Sequence, residues 1–262
     1  MSAIFESKLN ELGIVLDKTQ KEQFVKFYEL LVEWNKVMNL TGITEYEEVN
    51  EKHFIDSLSI VKCKDMSSAT TVIDIGTGAG FPGIPLKIAF PHLKVVLLDS
   101  LNKRINFLNT VINELGLKDI ETIHGRAEDF AKMPEYREQF DLCVSRAVAN
   151  LATLSEYCLP YVKVNGEFIP YKSGDIEEEV ENAKKAIKVL GGKIDNVVKF
   201  QLPGTEIGRS FVKIKKTEKT PKKYPRKSGI PTKEPISEVL KGMFHVKHSL
   251  LLKINKKNTC FT

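Results

Sequence analysis

The stretch VIDIGTGAGFPG, Val72 to Gly83, sets four glycines behind an apolar run and beside the acidic Asp74. Glycines so placed accept positive φ and let bare main chain approach a ligand closely. Two nucleoside cofactors compete for this spacing. Gly78 to Gly83 satisfies GxGxxG, which seats a pyrophosphate at a helix N-terminus. In that register the first glycine comes late after Asp74, and Pro82 falls inside the motif. The earlier register, Asp74-Ile75-Gly76-Thr77-Gly78-Ala79-Gly80, has the GxGxG shape used for S-adenosylmethionine. That molecule has no pyrophosphate, and its sulfonium and amino-acid ends prefer carboxylate and carbonyl groups, which Asp74 helps supply. Asp99, closing KVVLLD, stands where either class holds ribose hydroxyls, so it supports a nucleoside without choosing. Methyl transfer is favoured; hydride transfer with NAD stays open as the alternative.

Further along, Gly125-Arg126-Ala127-Glu128-Asp129 follows the run IETIHG. In a methyltransferase this loop holds the adenine; the plain alternative is a helix N-terminus with two acids against its dipole. Arg146 ends FDLCVSR at the expected mouth of the site. It suits cofactor or substrate-phosphate contact, or else an ion pair with Asp141 or Glu128. Lys172, in PYKSG, is a weaker candidate of the same kind. Asn39, His53 and Asp56 belong to a helical region, where a lone histidine usually packs or caps. Between Val212 and Lys233 nine Lys and Arg face only Glu218, so the basic excess of this +5 chain is local. Lys222, Lys223, Arg226, Lys227 and Lys233 are the candidates for RNA phosphates, an interaction with strong salt dependence and little sequence information. Tyr224 could stack on a base.

The elements that must position these residues follow from periodicity. Helical spacing of Phe24, Phe27, Tyr28, Leu31 and Trp34 predicts a helix, and EEVNEKHFIDSLSIV extends the pattern. From Thr71 the runs TVIDI, KVVLLD, IETIHG, FDLCVSRA and GEFIPYKS read as strands, most of them separated by helical patterns, which implies a mostly parallel α/β sheet. EEEVENAKKAIKVLGG is a late helix; VVKFQL and RSFVKIKK are expected as edge strands. The expected organisation is a helical cap at 1–66, a sheet domain at 67–216 and a basic, irregular tail at 217–262. The longest apolar runs fall short of the roughly 18 residues of a membrane helix, and the N-terminus is not a signal peptide. Four cysteines without a CxxC pair argue against zinc or a disulfide framework and fit a cytoplasmic protein.

Joined to Trp34-Asn35-Lys36, Asn39-Leu40-Thr41, His53-Phe54-Ile55-Asp56-Ser57, Leu98 to Arg104 and Ser145-Arg146-Ala147, these motifs closely resemble one family. It is the bacterial small-subunit (16S) ribosomal RNA guanine-N7 methyltransferases, or glucose-inhibited division protein B. The resemblance spans about residues 5–235 and includes the basic signature PRK, GIP and KEP from Pro225 to Pro235; Ala79 and Phe81 fall where relatives vary. It implies a Rossmann-like S-adenosylmethionine-dependent fold with an N-terminal helical cap. It puts the cofactor near Asp74, Gly76, Gly78, Gly80, Phe81, Asp99, Ser100, Ala127, Glu128 and Arg146. It also lifts Asn39, His53 and Asp56 into a polar network between cap and sheet, and makes Arg146, Lys172, Asn39 and His53 the candidates for positioning the reactants. Guanine N7 carries an in-plane lone pair and no proton, so no general base is needed and catalysis is mainly positioning. The expected partner is 16S ribosomal RNA or the small ribosomal subunit, with a monomeric chain, no metal and no membrane. The non-catalytic alternative is an RNA- or ribosome-binding protein with an inert nucleoside fold.

The end of the chain reads differently. Met243-Phe244-His245-Val246-Lys247-His248 offers an HxxH pair, yet one permitted coding, ATGTTTCACGTGAAACAT, is its own reverse complement. Cys260-Phe261-Thr262 can be coded to rebuild the same palindrome with a stop codon, and its core resembles the site of bacterial chromosome-partition proteins. The expectation is a disordered tail shaped by selection on DNA and dispensable for methylation.

Overall fold

The computed structural model describes residues 2–237; the expectations for Met243–His248 and Cys260–Thr262 lie outside the described residues. Helices lead the chain: α1 (Ala3–Glu11), α2 (Lys18–Met38), α3 (Tyr46–Val49), a π-helical turn at Asn50–Ile55, and α4 (Asp56–Leu58). Then follow β1 (Thr71–Ile75), α5 (Gly83–Ala89), β2 (Lys94–Asp99), α6 (Asn102–Glu114), β3 (Ile120–His124), α7 (Ala127–Phe130), β4 (Phe140–Arg146) and α8 (Leu151–Cys158). The chain continues through β5 (Val162–Ser173), α9 (Glu177–Val189), β6 (Gly192–Gln201), β7 (Gly208–Lys216) and α10 (Ile230–Lys233).

The seven strands form one sheet in the order β3-β2-β1-β4-β5-β7-β6. The first five run parallel, and β7 returns antiparallel between β5 and β6. Only β6 is therefore an edge strand of the last pair. The expectation of two edges fails at β7, whose Ser210, Phe211, Val212, Ile214 and Lys216 are buried because both flanks of the strand are covered. The chain order of β1 and β4 around the middle of the sheet creates a crevice beyond their carboxyl ends.

Alternation along β1 divides the core. Val72 packs on the face carrying the N-terminal helices, and Ile73 and Ile75 on the other, so Asp74 belongs to the face beneath α5. Helix α2 begins with a reciprocal cap: Gln20 N–H donates to Asp17 Oδ1 and Asp17 N–H to Gln20 Oε1, both at 2.8 Å. It ends at Asn39, in left-handed conformation with φ 50°. Its buried stripe (Gln20, Phe24, Phe27, Leu31) lies against α5 and α6. Phe54 sits at the centre, with ring centroids of Phe24, Phe27 and Phe81 at 5.1, 5.5 and 6.0 Å. The core of the N-terminal helices is thus continuous with one face of the sheet.

Where one helix was expected from EEVNEKHFIDSLSIV, the backbone changes pitch three times, ending in a 3-10 turn at Ser59–Lys62. The wide π-helical turn is the form that frequently occurs at functional sites, and it carries His53 directly ahead of Asp56.

Phe54→Ala removes a fully buried ring at this junction and is expected to destabilise the protein by about 3–5 kcal/mol. Denaturant unfolding measures it; a loss below about 1 kcal/mol would show that cap and sheet do not share a core.

Candidate functional site

Each glycine of the bend meets a different constraint. Gly76, Gly78 and Gly80 all have positive φ. A Cβ on Gly76 would strike Val148 at 2.6 Å, and one on Gly80 would strike Ile84 at the same distance. Gly83 lets α5 close on the sheet, since its Cβ would lie 2.3 Å from Leu97. Most amides of this bend are already engaged. Gly76 and Thr77 N–H donate to Leu98 O, Gly80 and Phe81 N–H to Thr77 O, Gly78 N–H to Asp99 Oδ2, and Gly83 N–H to Asp74 Oδ2. A pyrophosphate needs such N–H groups free. The bend offers carboxylates instead.

Asp74 is fully buried and uses one oxygen: Oδ2 accepts from Thr77 Oγ1–H at 2.7 Å and from Gly83 N–H at 2.9 Å. Its Oδ1 has no hydrogen-bond partner among the described residues. Burial pushes this carboxyl up to about 7 despite those two donors. Beyond the end of β1 opens a cavity of about 300 Å³, which Asp74 itself does not line; around it stand Gly76, Leu98, Asp99, Ser100, Ala127 and Glu128, with Arg104, Gly125, Arg126, Val148 and Tyr157. Asp99 also accepts from Leu101 N–H at 2.9 Å and Arg104 Nη1 at 3.2 Å. Two carboxylates, Asp99 and Glu128, share the lining of this cavity with Arg104 and Arg126, and such carboxylates can accept from ribose hydroxyls.

A second cavity, of about 440 Å³, lies beyond the ends of β4, β5 and β7. Ala147 lines both cavities, so they meet there. Around the second stand Lys52, His53, Asp56, Arg146, Lys172, Glu179 and Arg209. Asp56, almost wholly buried, grips two arginines: Arg146 Nη1 at 2.7 Å and Arg209 Nε at 2.6 Å. Arg146 Nη1 also donates to Lys52 O at 3.2 Å, and Nη2 lies 3.3 Å from His53 Nδ1. The His53 tautomer that accepts this donor carries its proton on Nε2, 2.8 Å from Thr41 Oγ1. Burial and the Arg146 charge push His53 down to about 4, so the ring is neutral at physiological pH. It stacks on Phe81 with centroids 4.6 Å apart, and Arg146 lies 5.1 Å over the same ring.

The sequence-derived candidates divide accordingly. Gly76, Asp99, Ser100, Ala127 and Glu128 line the smaller cavity, while His53, Arg146 and Lys172 line the larger. Phe81, Gly78 and Gly80 line neither, although Phe81 packs against His53 and Arg146, and Gly78 N–H donates to Asp99. Asn39 is an exposed helix cap and lines neither. Neither partner expected for Arg146 holds it: Asp141 sits at the opposite end of β4 with Lys163 and Thr71, and Glu128 Oε1 accepts from Gly229 N–H. Sequence reasoning missed Arg209 and Glu179. Arg209 reaches the site because β7 pairs antiparallel with β5, opposite Ser173. Reading RSFVKIKK as an inner strand was the signal that could have found it.

The basic segment is irregular apart from α10, yet it is anchored. Glu156, buried in α8, takes Arg226 through Nε and Nη2 and accepts from its backbone N–H. Arg137 donates to the carbonyls of Thr220 and Tyr224, and Tyr157 meets Thr232 at 2.7 Å. The nine cations are thus not all available to a partner. Lys213 pairs with Glu167, Lys216 is buried with Glu138, and Arg226 holds Glu156. Lys222, Lys223, Lys227 and Lys233 are exposed. Tyr224 is half-buried against the core.

The family described as "rRNA small subunit methyltransferase G" matches residues 20–207. A relative from Lachnoclostridium phytofermentans, "Ribosomal RNA small subunit methyltransferase G", is 57% identical over 235 residues, covering 90% of this chain and 97% of that protein. A protein of the same name from Bacillus cytotoxicus is 54% identical, covering 89% and 98%. Among solved structures, a chain of the Haloferax volcanii complex containing the Trm112 methyltransferase activator aligns with TM-score 0.53 at 12% identity, over 72% of this chain and 98% of that one. That likeness concerns the fold.

Asp74→Asn keeps an acceptor for both donors and removes the buried charge. The wild-type folded state holds the Asp74 proton up to about pH 7, whereas the unfolded state releases it near 3.8. Stability contributed here is therefore lost as pH rises through that window. The variant should match wild type below pH 4 and exceed it by on the order of 2–4 kcal/mol at pH 8. Denaturant unfolding across pH tests this; a difference independent of pH overturns it.

Proposed function

This chain belongs to the rRNA small subunit methyltransferase G family, and we infer from that membership and from the paired cavities that it methylates N7 of a guanosine in small-subunit ribosomal RNA with S-adenosylmethionine. The observation that carries the cofactor assignment is the bend from Gly76 to Gly83, most of whose amides are engaged internally while Asp74 Oδ1 is left without a partner among the described residues. A pyrophosphate finds few free N–H groups there, so the NAD reading loses its support. When bound, S-adenosylmethionine supplies an electrophilic methyl on a sulfonium. Asp99 and Ser100 would hold its ribose, Ala127 and Glu128 its adenine, and the Asp74 end of β1 its charged portion.

The larger cavity would take the acceptor nucleotide. Arg146, Arg209 and Lys172 offer donors to a phosphate or carbonyl, and Asp56 fixes both arginines so that neither wanders toward the base. That restraint matters because N7 becomes cationic on methylation, and a loose guanidinium beside it would raise the barrier. His53 stays neutral for the same benefit. Transfer to N7 displaces no proton from the acceptor nitrogen, so the residues present need only bind, orient and exclude water. The exposed lysines at 222, 223, 227 and 233 would meet RNA phosphates beyond the cavity. The chain works in the cytoplasm on this reading, where the ribosomal substrate is found; no helix among the described residues is long and apolar enough to cross a membrane.

Incubation with labelled methyl donor and small ribosomal subunits, followed by digestion, should yield labelled 7-methylguanosine. Label in another nucleoside, or none, overturns the assignment. Arg146→Ala should lower kcat/KM at least tenfold. Exchanging Lys222, Lys223 and Lys227 together for Ala should weaken RNA binding and flatten the plot of log affinity against log salt by about 2, at roughly 0.7 for each phosphate that goes unneutralised. An unchanged slope would remove this segment from the RNA interface.

A further inference from the structure

Of the two carboxylates in the larger cavity, Asp56 has both oxygens committed to arginines. Glu179 differs. Its Oε1 accepts from Lys172 Nζ at 2.6 Å and from Leu151 N–H, whereas Oε2 takes none of the hydrogen bonds among the described residues, and the side chain remains partly exposed to the cavity. Lys172 is the complement. Its ammonium has three protons, of which two go to Ala149 O at 2.8 Å and to Glu179. The pair presents one free donor beside one free acceptor, both held in place: Lys172 from the end of β5, Glu179 from the first turn of α9.

We propose that the Lys172–Glu179 pair selects guanine as the base to be methylated, Glu179 Oε2 accepting from N1–H and the 2-amino group while Lys172 Nζ donates to O6. This rests on reading the cavity as the acceptor-nucleotide pocket. Guanine sets O6, N1–H and the 2-amino group in a row, acceptor then donors. Adenine reverses the two groups that matter, with amino hydrogens toward the ammonium and the N1 lone pair toward the carboxylate. Rejection therefore comes from unpaired and opposed polar groups as well as from weaker attraction, the kind of recognition that discriminates strongly. Of the groups so held, N1–H and the 2-amino group lie on the far side of the base from N7, and O6 flanks it. A guanine gripped there leaves N7 unengaged, and the donor cavity adjoins through Ala147. The internal pairing of Lys172 with Glu179 also limits free positive charge where the methylated base becomes cationic.

The test uses the full chain, with guanosine, inosine and adenosine 5′-monophosphates as competitors of methyl transfer to small-subunit RNA. Wild type should be inhibited at least tenfold more strongly by the guanosine nucleotide than by the adenosine nucleotide, with inosine, which lacks the 2-amino group, between them. In Glu179→Gln the amide oxygen stays with Lys172 and Leu151, so an N–H faces the base and the guanine-to-adenine inhibition ratio should fall at least tenfold. Lys172→Met should lower the same ratio. A merely structural role would weaken all three nucleotides alike and leave their ratio unchanged, and that outcome overturns the proposal. Equal inhibition of wild type by all three also overturns it while leaving the methylation reading intact; absence of transfer to RNA in wild type would instead sink that reading.

Discussion

A single buried carboxylate joins the two halves of this protein. Asp56, at the start of a short helix in the N-terminal region, is clasped by Arg146 from β4 and Arg209 from β7. A carboxylate withdrawn from water alone costs several kcal/mol, and only excellent geometry with full pairing offsets that. Two guanidiniums provide it and are themselves fixed in return. His53, one turn away, is clamped between Arg146, Phe81 and Thr41. The result is a rigid polar floor to the larger cavity, assembled from three segments distant in the chain.

The glycine bend works by self-satisfaction. Positive φ at three glycines turns the chain so that its own carbonyls and carboxylates absorb nearly every amide of the loop. The side-chain-free positions serve packing as much as ligand approach, since Gly80 and Gly83 admit Ile84 and Leu97. What remains unpaired is one polar atom, Asp74 Oδ1. A buried polar atom without a partner is costly, and it persists most readily at a functional site.

Behind the smaller cavity runs the basic segment, whose anchoring separates its two jobs. Arg226, the one arginine in it, binds inward to Glu156, where its planar fork satisfies both oxygens of a buried carboxylate. Lys222, Lys223, Lys227 and Lys233, with their compact and strongly hydrated charges, face outward. Gly229 and Thr232 touch Glu128 and Tyr157, two residues of the cavity wall. The segment that carries the outward charge is thereby physically continuous with the wall of the smaller cavity.

Local pattern was enough for much of this. Alternation and helical spacing depend on neighbours within a few residues, so the parallel strands, the long helix α2 and the glycine bend with Asp74 and Asp99 could all be read directly. The same holds for the positions of Arg146 and Lys172 at strand ends, and for the resemblance carried by the joined motifs. Pairing between distant segments could not be read. Arg146 had Asp141 and Glu128 as plausible partners along the chain, yet strand direction sends Asp141 to the far end of β4 and a backbone amide takes Glu128. Arg209 looked like an edge-strand residue until β7 inserted antiparallel beside β5. Glu179 was one acid among four in a helix until Lys172 met it. Ion pairs and cavities are decided by which carboxylate and which cation share a few ångströms, and that distance is set by sheet order and strand polarity, which no local stretch of sequence encodes.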